Sequence, residues 1–154
     1  MTGRTWRSST TVHAAPEHVI DVLTDPEACA RWSPIPFSVD TDGAARLRPG
    51  TVTRVSGGLL GARVRFHLHT LTADPGSLRL HARGPIDIHV DYRLTRTRAG
   101  CHLDARVSVP APHAPFGRLL ARATEMLLAR GTLEETVDRI AHEAELAADA
   151  GEGS

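Results

Sequence analysis

One long helical pattern near the C-terminus constrains the fold of this chain more than any other feature. Between residues 115 and 148, apolar residues recur three or four positions apart, so they share one face of a helix. A helix of about 33 residues is roughly 50 Å long, and its apolar face needs a broad apolar partner. Gly131 interrupts the pattern, and Thr132 and Glu135 have the spacing of a capping box, which marks a point where the helix bends or restarts.

The broad partner is predicted to be a sheet, because alternating residues mark four consecutive strands between Arg63 and Val109. Apolar residues alternate there with Arg, His and Asp, and Gly or Pro residues separate the strands. One apolar and one charged face are typical of an antiparallel sheet with water on one side. Further strands are predicted at residues 5–13, 36–40 and 50–56, with a hairpin at residues 57–61.

Two short helices are predicted directly after the first strand. Pro16 suits the first position of a helix, and Glu17 beside it suits the helix dipole. Asp25 is the expected cap of a second helix that begins at Pro26. The order of elements therefore predicts a curved antiparallel sheet that grips the C-terminal helix and leaves a cavity between them.

Composition excludes several classes of function. The formal net charge is zero, with 18 basic and 18 acidic residues, which argues against general binding to nucleic acid. All the basic residues are Arg, so Lys-based chemistry such as Schiff-base formation is excluded. Cys29 and Cys101 lack the spacing of a disulfide framework or a zinc site, and we expect neither a metal nor a cofactor.

The polar N-terminal residues and the absence of a long apolar run predict a cytoplasmic protein without membrane insertion. The length suits one domain. We expect that domain to span residues 1–150, with residues 151–154 as a frayed tail, in a monomer or a homodimer.

Three short motifs carry a resemblance to a known family. Residues 12–19 read Val-His-Ala-Ala-Pro-Glu-His-Val, residues 23–26 read Leu-Thr-Asp-Pro, and residues 32–34 read Trp-Ser-Pro. With this order of elements, the chain resembles the START-like (SRPBCC, Bet v 1-like) superfamily, in its polyketide cyclase/dehydrase-type branch. The resemblance covers nearly the whole chain. It implies an α+β helix-grip fold, with a six- to seven-stranded antiparallel sheet wrapped around the C-terminal helix, and a hydrophobic pocket for a polyketide-like molecule or a lipid.

Strand phase and this resemblance together predict the residues that line the pocket. The alternative is that the same side chains pack into a filled core. Leu59 and Leu60, at the hairpin tip, are predicted to gate the pocket or to pack against a neighbouring loop or subunit. The predicted ligand-binding residues are Trp32, Val64, Phe66, Leu68, Thr70, Leu80, Ile88, Val90, Tyr92, Leu103, Phe116, Leu120 and Leu127.

Candidate catalytic groups are few in the inward phase. Family members that cyclise aromatic polyketides tend to place Arg, Tyr or other donors inside, whereas the arginines here fall in the outward phase unless a β-bulge shifts it. Tyr92 is the best inward proton donor, with a core tyrosine as the alternative. His113 is a candidate at the pocket rim, with an exposed loop histidine as the alternative. Outward His and Asp residues are expected to pair with Arg across strands rather than to bind a metal.

The predicted functions fall into two classes. The first is binding of a small hydrophobic molecule, either with polyketide cyclase or dehydratase chemistry or without chemistry, as a lipid carrier or sensor. The second is an interaction module with a filled core. Its Arg-rich sheet face would dock an acidic partner such as an acyl carrier protein.

Overall fold

The computed structural model describes residues 4–25, 28, 37–40, 47–59, 62–84, 87–109, 122, 126 and 131–152. Within these residues the chain forms seven strands and two helices, and none of its helices is long and apolar enough to cross a bilayer. In chain order they are β1 (Arg4–Val12), α1 (Pro16–Thr24), β2 (Phe37–Asp40), β3 (Val52–Leu59), β4 (Ala62–Asp74), β5 (Ser77–Arg83), β6 (Asp87–Arg96), β7 (Cys101–Val109) and α2 (Thr132–Glu152).

The strands form one antiparallel sheet in the order β1-β7-β6-β5-β4-β3-β2. From β2 to β7, strands that are consecutive in the chain pair with each other, and β1 pairs with β7 at the other end of the series. The β4–β5 turn is held by Asp74, whose Oδ1 accepts hydrogen bonds from the backbone N–H groups of Gly76 (2.8 Å) and Ser77 (2.9 Å). The β3–β4 pairing confirms the predicted hairpin.

One face of the sheet, here called the inner face, is apolar, as the alternation predicts. Val64, Leu78 and Leu103 are buried on this face, while Arg65, Arg79, Arg83 and Arg93 alternate with the inward residues and fall on the opposite, outer face. Arg96, at the end of β6, is the exception: it is in the inward phase and forms an ion pair with Glu17 of α1. A bulge between Thr70 and Thr72 inserts one residue, Leu71, which is 53% exposed. Because the bulge follows Arg63 and Arg65 in β4, it leaves both arginines in the outward phase.

The C-terminal helical pattern is interrupted at Gly131, where the backbone takes a φ of 87°. An L residue adopts this left-handed conformation only with strain, so glycine suits the position. Arg122 and Met126 have helical backbone, and α2 begins at Thr132 and continues to Glu152. The interruption expected at residue 131, as a bend or a restart, is present, and the helix ends four residues later than predicted.

Helix α2 packs mainly against β1 and α1. Its buried side is formed by Leu133, Val137, Ile140, Ala141 and Ala144, at the spacing of one helical face. The backbone N–H of His13 donates a hydrogen bond of 2.9 Å to Glu145 Oε2, which ties the end of β1 to the helix. The first predicted short helix is confirmed as α1; of the second, only Ala28 is described, and it is helical and buried.

Candidate functional site

The inner face consists of rows of side chains that run across neighbouring strands. The register pairs Leu78 with Tyr92 and Tyr92 with Ala105, and all three side chains are buried. The next row towards the β6–β7 turn pairs Leu94 with Leu103, which are also buried. These two rows form a closed core near α1.

The rows on the other side of Tyr92 are more open. We define the inner patch as the half-buried side chains that β4, β5 and β6 place together there. Its members are Phe66, Leu68, Leu80, Ala82, Ile88 and Val90.

The inner patch occupies central strands, which are normally the most deeply covered part of a sheet. Helix α2 packs mainly on β1 and α1, so the patch lies beside that helix rather than under it. Gly84 makes room at one end of the patch, because a Cβ built on it would lie 2.6 Å from the Phe66 ring. An apolar surface that is half-buried at the centre of a sheet can accept an apolar molecule, since covering it with one removes more of it from water.

Two polar side chains border the inner patch. Thr70 is paired with Leu80 in the strand register and is 1% exposed. Its Oγ1 atom has no hydrogen-bond partner among the residues that the structure describes. Tyr92 lies in the closed row next to Val90 and is 5% exposed.

The predicted lining residues separate into three groups. Those brought together at the inner patch or its border are Phe66, Leu68, Thr70, Leu80, Ile88, Val90 and Tyr92; Val64 and Leu103 are buried elsewhere on the same face. The backbone of Leu59 ends β3. Predicted residues outside the described part of the chain are Trp32, Leu60, His113, Phe116, Leu120 and Leu127.

Ala82 belongs to the patch although the predicted lining set omits it. Its pairing with Leu68 and Ile88 places it between two predicted members. The alternation of apolar residues along β5 carries the signal for it. The partial burial of the patch residues could not be predicted in this way, because alternation identifies one face of a strand and not what covers that face.

The buried thiol of Cys101 is a third polar group on the inner face. Burial raises its pKa, so the neutral thiol is favoured. In the strand register it pairs with Val12 of β1 and Arg96 of β6, away from the inner patch.

The outer face is charged and carries a row of histidines. The register aligns His69, His81 and His89 across three strands, and the rings of His81 and His89 stack with centroids 4.1 Å apart. Burial, followed by the neighbouring His89, lowers the pKa of His81. Among the described residues, no group of three His, Cys, Asp or Glu side chains has a geometry that could hold a metal ion.

A second row of the outer face is rich in arginine. Register places Asp91 between Arg79 and Arg106, and Arg106 beside Arg7. Asp91 also forms an ion pair with Arg93 of its own strand, where Arg93 Nε lies 3.7 Å from Oδ2. The predicted placement of Arg next to Asp across strands is therefore present in the register.

The exposed side of α2 carries a separate surface recess of about 560 Å³. Its lining residues include Glu135, Asp138, Arg139, His142 and Glu143. Arg139 Nη2 lies 2.6 Å from Glu135 Oε1, one helical turn away. This charged recess differs in chemistry and in place from the apolar pocket that the sequence predicts.

Comparison with known proteins agrees with the architecture. A family model described as "Polyketide cyclase / dehydrase and lipid transport" matches residues 4–145. The search of curated protein sequences gave no match.

Solved structures show the same fold at low sequence identity. Protein CV1439 from Chromobacterium violaceum has a TM-score of 0.68 and 21% identity, over 92% of this chain and 97% of that one. The Zhui aromatase/cyclase from Streptomyces sp. R1128 has a TM-score of 0.68 and 20% identity, over 93% and 94%. Protein TTHA0849 from Thermus thermophilus has a TM-score of 0.68 and 17% identity, over 94% and 99%. The architecture is therefore the helix-grip fold.

Proposed function

The chain belongs to the family of polyketide cyclases/dehydrases and lipid-transport proteins, and from this premise we propose that it binds a small hydrophobic molecule on the inner face of its sheet. The ligand would be polyketide-like or a lipid. The observation that carries the proposal is the inner patch, where apolar side chains at the centre of the sheet are half-buried.

The chemistry of the inner face agrees with an uncharged ligand. The inward positions of β4 to β7, from Val64 to Val109 and excluding the terminal Arg96, carry apolar or neutral polar side chains. A charged ligand group placed there would lose its hydration without gaining a counter-charge, which is strongly unfavourable. An apolar ligand loses nothing of this kind and gains roughly 25 cal/mol for each Å² of apolar surface covered.

A neutral fluorescent probe tests the proposal. N-phenyl-1-naphthylamine should bind the wild-type protein saturably, with one site per chain. Val90→Trp places an indole in the middle of the patch and should weaken binding at least tenfold, because it occupies the space of the probe. Val52→Trp is the matched control, since Val52 is 54% exposed and lies in β3 outside the patch.

The stability of Val90→Trp also distinguishes a patch that borders open space from a filled core. Forcing a larger side chain into a closely packed core costs about 1–3 kcal/mol. Val90→Trp should therefore fold with near wild-type stability if the patch borders open space. A non-saturable fluorescence signal, or equal probe binding by both variants, would contradict the proposal.

Cyclase or dehydratase chemistry is an extension that would rest on Tyr92. Its buried position next to Val90 supports a role as proton donor to a bound molecule. Tyr92→Phe should retain probe binding and lose any cyclisation of a linear poly-ketone substrate. The ultraviolet absorption of the aromatic product measures the cyclisation. If the wild-type protein leaves such a substrate unchanged, the function is carriage or sensing.

Docking of an acidic partner on the outer face is a second candidate function. The row of Arg7, Arg106 and Arg79 around Asp91 supports it, and an acyl carrier protein has the required charge. In a binding assay with an acyl carrier protein, Arg63→Glu combined with Arg79→Glu should abolish a salt-sensitive interaction.

The matched control for docking is Arg98→Glu combined with Arg139→Glu. These residues are exposed and lie in the β6–β7 turn and on α2, away from the outer face. Equal binding by the two double variants would refute docking through this face. The cytoplasmic location and the choice between monomer and homodimer stay predictions.

A further inference from the structure

Thr70 carries a buried hydroxyl group for which the described part of the chain provides no hydrogen-bond partner. Its backbone groups are both paired, since its N–H donates to Thr51 O (3.0 Å) and its carbonyl accepts from Gly50 N (2.8 Å). The side chain is therefore not needed to complete the sheet. Burying an unpaired hydroxyl is unfavourable, and such groups are few in folded proteins.

The position of Thr70 places this hydroxyl beside the inner patch. In the strand register it is followed by Leu80 and then by Val90, both members of the patch. The bulge after Thr70 puts the extra residue, Leu71, in the exposed position and keeps Thr70 in the inward phase. The hydroxyl thus lies at the β4 end of a row whose next two side chains are half-buried and apolar.

We propose that the Thr70 hydroxyl is the hydrogen-bonding anchor for a neutral oxygen atom of the ligand, so that the site selects apolar molecules bearing a ketone or an alcohol over hydrocarbons of the same shape. This rests on the proposed function. A threonine hydroxyl can both donate and accept, so it can pair with either oxygen group. The uncharged inner face explains why the oxygen is neutral rather than a carboxylate.

Three probes of nearly the same shape test this selectivity: 2-acetylnaphthalene, 1-(2-naphthyl)ethanol and 2-ethylnaphthalene. Thr70→Val keeps the volume of the side chain and removes the hydroxyl. It should weaken binding of the ketone and the alcohol by about fivefold to tenfold, the value of one hydrogen bond, and leave the dissociation constant of the hydrocarbon unchanged. Titration calorimetry or competition against a fluorescent probe gives all three constants.

Two further variants control for side-chain shape. Thr70→Ser retains the hydroxyl and should keep the wild-type preference, whereas Thr70→Ala should lose it like Thr70→Val. Thr95→Val makes the same substitution at an exposed position of β6 and should change none of the constants. The quantity to compare is the ratio of ketone affinity to hydrocarbon affinity within each variant. A change in overall stability affects both affinities equally and cancels in this ratio.

The possible results separate this inference from the proposed function. Failure of the wild-type protein to bind any of the three probes would overturn both. If the wild-type protein binds all three probes and Thr70→Val changes their dissociation constants equally or not at all, the role of Thr70 is overturned and the proposed function stands. The apparent Tm of Thr70→Val without ligand should be unchanged or higher, because an unpaired buried hydroxyl is removed. A fall of more than a few degrees would show that the hydroxyl has a structural partner and would overturn the inference.

Discussion

Leu78 and Leu80 provide the sharpest test of whether the inner face is closed at one end and open at the other. Both lie on β5, both point inward, and only one residue separates them. Leu78 is fully buried, at 0% exposure, between Ala73 and Tyr92, whereas Leu80 is half-buried in the inner patch. The same substitution, Leu→Ala, therefore probes two surroundings on one strand.

The expected costs differ because burial differs. Leu→Ala removes three carbon atoms, worth about 2.4 kcal/mol of transfer free energy at about 0.8 kcal/mol each. At Leu78 the cavity left behind adds to this, for a total loss of about 3–4 kcal/mol. At Leu80 about half of the transfer term applies and the vacated volume joins existing space, so the loss should be about 1 kcal/mol.

Urea unfolding followed by tryptophan fluorescence measures the difference. With a slope of about 2 kcal/mol per molar urea, the midpoints of Leu78→Ala and Leu80→Ala should differ by about 1–1.5 M. The slopes of both variants should match that of the wild type, which shows that the unfolded states are comparable. Equal losses of about 3 kcal/mol would mean that Leu80 is packed as tightly as Leu78, and the reasoning that places a ligand at the patch would be refuted.

Two more predictions concern the backbone and pH. Gly100→Ala should abolish stable folding, since its Cβ would lie 2.2 Å from Val12 O. Gly50 has a φ of 85°, and no atom lies within 4 Å of a Cβ built on it. Gly50→Ala should therefore lower the free energy of unfolding by only about 1–2 kcal/mol, as measured by urea titration. Equal effects of the two substitutions would contradict the close approach at Gly100. The pKa of His81 is lowered in the folded state by burial and by His89, so unfolded chains take up its proton first as pH falls below about 6.5. Stability should therefore be lost between that pH and the lower folded pKa, and His81→Gln should show a smaller loss; identical profiles would exclude His81 as the cause.

Much of the fold could be predicted because local patterns and tertiary structure agree. Apolar residues two apart predicted β5, β6 and β7, and the structure leaves these apolar residues buried or half-buried on the inner face. Pro16 predicted the start of α1, and Gly131 marked the restart of the C-terminal helix. These signals work because strand and helix periods, and the backbone preferences of Pro and Gly, act over a few residues.

The candidate site could be predicted only as a face of the sheet. Phase assigned Leu78 and Leu80 to the same surface, yet one belongs to a closed core and the other to the inner patch. The closed rows lie near α1, which contacts β4, β5 and β6, whereas α2 packs mainly against β1 and α1. No local pattern in β5 contains that information, because what covers a residue comes from elsewhere in the chain.

Local sequence patterns predicted the strands and helices, the apolar face of each strand and the interruption of the C-terminal helix at Gly131. These are consequences of side-chain period and backbone sterics. The division of the inner face into closed rows and an open patch, and the burial of the Thr70 hydroxyl beside that patch, are visible in the folded structure alone. Such outcomes depend on register and on packing between distant segments, since burial is a property of the assembled chain and not of any stretch within it.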